Sequence, residues 1–266
     1  MSDAALFARR LAAGERVDDP VALVVAHPDD ETLWAGAAFA RLANLTLIHI
    51  TDGAPLDMAD ASRLGFATRE DYARARGREL DRALRLLGPP AARIACGVPD
   101  QQAIGRLGEL ADRLAGHLAD MAAVLTHPYE GGHPDHDAAA LAVRIAVERI
   151  GARVGRAPAL VEFACYHAID DERRFGRFWP DADCPEQARP LDPADRDRIG
   201  HAIAAHATQS SVVGSWRPDA ERWRAAPDYD FTAPPPPGDS LYDRFGWAIT
   251  SARWRELARQ EIAQWA

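Results

Sequence analysis

Two short stretches hold most of the residues able to do chemistry: His27-Pro28-Asp29-Asp30-Glu31 and, about 100 residues later, His133-Pro134-Asp135-His136. Imidazole and carboxylate at this density suit a catalytic metal, which typically takes about three His or carboxylate ligands and keeps a further position for water. His27 and Asp30 lie three residues apart across a tight turn, and His136 can supply a third ligand from the start of a helix. Asp29 then sits beside the ligands without being needed as one, where a general base for a metal-activated water belongs. Zinc is the expected metal. A His/Asp site of this kind also accepts ferrous iron, cobalt or nickel.

The elements that must bring the two stretches together are legible as an alternation of strands and helices. Residues 21–26 form a continuous apolar, β-branched run ending at the first polar loop, the pattern of a parallel strand buried on both faces. A helix is expected over 32–43, a strand over 45–50, a turn at 51–53 and a long helix over 68–87 stopped by Gly88-Pro89-Pro90. Further strands fall at 93–96, 122–126 and 160–165, with helices at 104–118 and 135–150. This order predicts an α/β, Rossmann-like three-layer α/β/α fold with a mostly parallel sheet. In strand order 3-2-1-4-5 the loops after the first and fourth strands meet at the switch point, where ligands bind. No Gly-x-Gly-x-x-Gly follows the first strand, so a dinucleotide is not expected. The chain reads as one domain over 1–266, its core at about 20–170 and a C-terminal elaboration at about 171–266. In the latter, 170–192 suggests an excursion or small hairpin, 193–207 and 251–265 read as helices, and Pro234 to Pro237 form a stiff extended stretch.

Composition narrows the function. A net charge of −9 argues against a nucleic-acid partner, which would require clustered Lys and Arg. No run approaches the ~18–20 apolar residues of a membrane span, and the N-terminus lacks the pattern of a secretion signal. The three cysteines, Cys96, Cys165 and Cys184, form no CxxC pair. They suggest reduced thiols in a cytoplasmic protein rather than a disulfide framework.

Taken together, the two motifs resemble the signature pair of the PIG-L/LmbE-like zinc N-deacetylases, and the resemblance spans roughly residues 20–170. It implies removal of an N-acyl group, acetyl above all, from an N-acetylglucosamine-type sugar or glycoconjugate. Other acyl conjugates, or a binding role without catalysis, are the competing readings. It further implies metal ligation by His27, Asp30 and His136, Asp29 as base, and a protonated His133 that stabilises the oxyanion and is oriented by Asp135. Arg76 and Asp100 fall where the family keeps a substrate-pocket Arg and a residue that bonds sugar hydroxyls. Glu31 is expected behind the site, fixing the loop or a ligand. Tyr129 is assigned to the substrate pocket, with ordinary packing as its alternative. Asp135 has a competing use as a helix cap.

Overall fold

The computed structural model describes residues 2–265 apart from 171, 237 and 239. The first strand, β1 (Val17–Val25), lies at the centre of a seven-stranded sheet. Its neighbours are β2 (Leu42–Pro55) on one side and β4 (Ala123–Thr126) on the other. Beyond them lie β3 (Ala92–Asp100) and β5 (Ala159–Phe163), and all five run parallel. The expected order 3-2-1-4-5 is therefore present, and the reversal of winding falls between β1 and β4.

Both faces of β1 are apolar because both are covered. Val21, Leu23 and Val25 point into a core shared with α1 (Asp3–Ala12), α4 (Arg69–Leu87) and α7 (Pro193–Ala205). Ala22 and Val24 point the other way, into a core filled by α5 (Leu107–Leu118), α6 (Pro134–Val154) and α10 (Ser251–Ile262). This is the three-layer α/β/α arrangement. Local signals set the helix ends. Thr68 Oγ1 accepts the N–H of Asp71 at the start of α4, and Asp192 caps α7.

The C-terminal part departs furthest from expectation. A hairpin, β6 (Tyr166–Ile169) with β7 (Glu172–Phe175), fills part of the predicted excursion. Two further strands, β8 (Gln187–Pro190) and β9 (Ala220–Ala225), extend the main sheet antiparallel beyond β5. The predicted helix over 32–43 is broken in two, α2 (Asp30–Ala35) and a 3₁₀ turn (Ala38–Arg41). The cause is Glu221 on β9, whose Oε1 accepts the N–H groups of Ala37 and Ala38 that would otherwise continue the helical ladder. The turn predicted at 51–53 is instead a continuation of β2, tied to the β1 loop where Thr51 N–H and Oγ1 both donate to the Ala26 carbonyl. Prolines 234–236 form no regular element, and Pro237 lies outside the described residues.

Candidate active site

The loop after β1 and the loop after β4 meet at the switch point, as the strand order requires. His27 Nδ1 lies 3.2 Å from His136 Nε2 and 3.4 Å from Asp30 Oδ2, and His136 Nε2 lies 3.3 Å from Asp30 Oδ1. The two nitrogens face different oxygens of the one carboxylate, at separations short enough for a single metal ion to reach all three groups. The chain thus places two imidazole nitrogens and a carboxylate where one metal ion fits between them.

Each ligand candidate is held from behind. His27 Nε2 is 3.2 Å from Asp100 Oδ1 and 3.4 Å from Asp135 Oδ2, so its second nitrogen donates into carboxylates and leaves Nδ1 for the metal. Burial works against charge on His27, but Asp100, Asp135 and Asp30 outweigh it and hold its pKa well above the ordinary value. Asp30 is held well below the usual carboxylate range: His136 and His127 overcome the penalty of burial. Its Oδ2 also accepts the N–H of His27 at 2.8 Å, closing the tight turn. His136 Nδ1 faces the sulfur of Cys165 at 3.4 Å.

His127 and Cys165 lie close enough to Asp30 and His136 to complete a four-residue metal cluster, but their chemistry argues against ligation. The His127 Nε2 lone pair is taken by the N–H of Ala26 at 2.9 Å. Burial, with Glu130 and Asp30 nearby, raises the Cys165 thiol well above its usual range, which disfavours the thiolate a metal needs.

Asp29 begins α2 without capping it, so its carboxylate is free to face the cleft. Its Oδ2 accepts from Arg76 Nη2 at 2.9 Å. Burial raises the carboxyl's pKa, Arg76 opposes the rise, and Asp30 adds to it, which suits a base. Arg76 reaches the site from α4 and also donates from Nη1 to the Gly53 carbonyl at 2.5 Å. Gly53 sits at φ +69°, and a Cβ there would overlap the guanidinium. A glycine is therefore required for Arg76 to stand behind Asp29.

Two expectations about the second motif change. His133 Nδ1 accepts from the backbone N–H of Asp135 at 3.1 Å, while the Asp135 carboxylate accepts from the N–H groups of Gln101 and Ala103. Asp135 therefore braces the β3 loop and His27, and does not orient His133 through its side chain. Burial, together with His27, holds the His133 pKa well below its ordinary value. That direction favours the neutral imidazole over the protonated one expected, and the Nδ1 acceptor places the neutral form's proton on Nε2.

Tyr129 is also corrected. It is buried, stacks on Trp254 with ring centres 5.3 Å apart, and donates to the Ala233 carbonyl at 2.8 Å, outside the cleft lining. Asp100 lines the cleft but points Oδ1 at His27 and, at 3.6 Å, at His133. Glu31 is fully buried, with Oε2 3.1 Å from His49 Nε2 on β2 and Oε1 accepting from Thr32 Oγ1. It fixes the loop to the sheet and touches no ligand.

The cleft above these groups has a volume of about 520 Å³. Its walls are aromatic, and most of them come from the C-terminal part. Tyr166 stands edge-on to His136 at 5.3 Å, and Trp34, Phe175 and Trp216 continue from it with ring centres 5.4–6.1 Å apart. Opposite, Trp247 packs on His133 at 4.7 Å and Phe245 on Trp247 at 5.2 Å. The turn before His133 allows the close approach of Tyr166, since a Cβ on Gly132 would strike the Tyr166 carbonyl. The two sequence motifs point to none of these wall residues.

Fold and site together define a three-layer α/β/α protein with a cluster of His and Asp side chains at its switch point. Residues 22–147 match the family model described as PIG-L: GlcNAc-PI de-N-acetylase. No curated protein sequence matches the chain significantly. Among solved structures, it is similar to the A40926 pseudoaglycone deacetylase Dbv21, at 20% identity and TM-score 0.59, covering 80% of this chain and 100% of that one. It is also similar to Orf2*T, a triple mutant of a deacetylase in the teicoplanin biosynthetic pathway, at 18% identity and TM-score 0.61, covering 79% and 99%. A third is GalB, the 4-carboxy-2-hydroxymuconate hydratase of Pseudomonas putida KT2440, at 21% identity and TM-score 0.50, covering 79% and 98%. At these identities the likeness is one of fold. That two reaction types share it means the chemistry must be argued from the site.

Proposed function

We propose that the chain is a metal-dependent N-deacylase that removes an acyl group, acetyl first among them, from an amino-sugar conjugate. The observation that carries this reading is the triangle of His27 Nδ1, Asp30 and His136 Nε2 at 3.2–3.4 Å separations, with the Asp29 carboxylate beside it on Arg76. The family model supports the deacetylase class and the sugar. Zinc is favoured by the donor set of two imidazoles and one carboxylate, and iron, cobalt or nickel would suit the same donors.

A divalent metal held by these residues supplies Lewis-acid charge and lowers the pKa of water at the site. Asp29 accepts the proton of the attacking water, and Arg76 keeps its carboxylate turned toward the cleft. As the carbonyl oxygen gains negative charge, the neutral Nε2–H of His133 donates to it. Asp29 then gives its proton to the departing nitrogen, so the products are a free amine and a carboxylic acid, which passes its remaining proton to solvent or to the amine. Asp100 and Asp135 hold His27 in one tautomer throughout. The partner is a small acylated sugar or glycoconjugate. A cytoplasmic setting is supported by three cysteines that are all free thiols.

The test is metal analysis combined with amine release from a panel of N-acetyl sugars. Asp29→Asn should retain metal and lose about 10²–10⁴-fold in kcat, while His136→Ala should lose metal and activity together. Asp29→Asn with undiminished turnover, or His136→Ala with full metal content, would overturn the assignment.

A further inference from the structure

The two aromatic walls of the cleft start at the two histidines that face the reacting bond and run outward to solvent. One leaves His136 through Tyr166 to Phe175, and the other leaves His133 through Trp247 to Phe245. At the mouth Arg173 bridges them, its guanidinium 5.6 Å from the Phe175 ring and 5.4 Å from the Phe245 ring. Arg173 makes no ion pair with a described acidic group, so its arrangement is set by the rings.

Phe175 and Phe245 stay 39% and 44% exposed, although an apolar ring gains by burial. Cleft and metal pocket are one continuous space, so a group seated between these rings can belong to the same molecule that presents its acyl group below.

We propose that this slot binds an aromatic group carried on the substrate next to the amino sugar, so that the preferred substrate is an aryl-bearing acylamino-sugar conjugate rather than a free sugar. This rests on reading the pocket as the deacylation site. The subsite itself is built by β6, β7 and the segment before α10, all outside the family-matched residues 22–147. Rings in offset or edge contact with such walls gain beyond simple burial. Arg173 links the two walls at the mouth by facing the rings of both Phe175 and Phe245.

The experiment compares methyl and 2-naphthyl N-acetyl-β-glucosaminide on the metal-loaded protein. Binding is read from the intrinsic fluorescence of the wall tryptophans, and turnover from amine release. The naphthyl compound should bind at least about tenfold more tightly and show a correspondingly larger kcat/KM. In Phe175→Ala with Phe245→Ala the naphthyl-to-methyl ratio should fall toward one; both rings are partly exposed, so the fold tolerates their loss. Arg173→Ala should reduce the ratio by a smaller factor. Equal binding of the two compounds, or a ratio unmoved by the double substitution, overturns the subsite. Tight naphthyl binding abolished by the double substitution, with no amine released from either compound, sustains the subsite and sinks the deacetylase reading instead.

Discussion

The floor and the mouth of the cleft are built by opposite means. On the floor, polar side chains lock one another. His27 is fixed by Asp100 and Asp135, Asp29 by Arg76, and Asp135 by two backbone N–H groups. At the mouth, aromatic rings meet at 5–6 Å with few hydrogen bonds, and two of them remain partly in water. A locked polar floor has one geometry, as metal binding and proton transfer require. An apolar mouth can change its occupant without disturbing that geometry. On the proposed function, reaction type and substrate choice are carried by different stretches of chain, the first within residues 22–147 and the second mostly beyond them.

The strongest way to break this division is at Asp100, which lines the cleft but is bonded to the floor. If its main task is to hold His27, Asp100→Ala should weaken metal binding about 10–100-fold, with a smaller effect on KM once metal is saturating. Competition with a chromophoric chelator measures the first, and kinetics in excess metal the second. A large KM effect with unchanged metal affinity would move Asp100 from the floor to the substrate.

The asymmetry also explains what could be read from sequence. The floor announced itself because its residues sit in two contiguous motifs, each after a strand of uninterrupted apolar residues. Its supporting bonds were less visible. Nothing in the string says that Asp135 offers His133 its N–H rather than its carboxylate, since both lie at the same position. β9 was hidden for a different reason. Its residues Glu221, Arg222 and Arg224 are charged yet buried, satisfied by Ala37 and Ala38, by Asp219 and Glu186, and by Glu162 and Tyr229. A strand recognised by apolar residues cannot be found when its charges are neutralised by partners such as Glu186 and Glu162, which lie far from it in sequence. The mouth was unreadable because its rings come from five separate segments that the fold alone brings together.

Glu221 joins the two regions, since it reaches from β9 to the turn after α2. Burial pushes its pKa up to about 7, against an ordinary 4.5. Between those values the native state keeps a proton that the unfolded chain has released. Its contribution is therefore full below the ordinary value and is lost as pH rises through the folded one. Glu221→Gln, which keeps the oxygen acceptor and never ionises, should remove part of the wild-type loss of stability with rising pH. Between about pH 5.5 and 6.5 the difference should approach about 1 kcal/mol, measured by urea unfolding at each pH. Glu162, also raised to about 7, keeps a slope of the same sign in both proteins. Parallel curves for the two would show that Glu221 ionises freely in the native state and that the joint between the regions is not the source of the pH dependence.

The smallest expected effect tests where the mouth ends. Tyr129 follows the fourth strand, close in sequence to His133, yet its hydroxyl bonds Ala233 and its ring lies among Trp254, Phe231 and Tyr229. It ties the motif loop to the C-terminal part from the side away from the cleft. Tyr129→Phe keeps the ring and removes one hydrogen bond, a loss of roughly 0.5–1 kcal/mol in unfolding free energy. Because the hydroxyl faces packed side chains rather than substrate, kcat/KM for both glucosaminides should stay at the wild-type value. A selective fall for either one, with stability unchanged, would place the hydroxyl in contact with substrate and extend the mouth across the motif loop. If only stability falls, the boundary lies where the aromatic stacking on Trp254 begins, and the two regions share a core there without sharing a site.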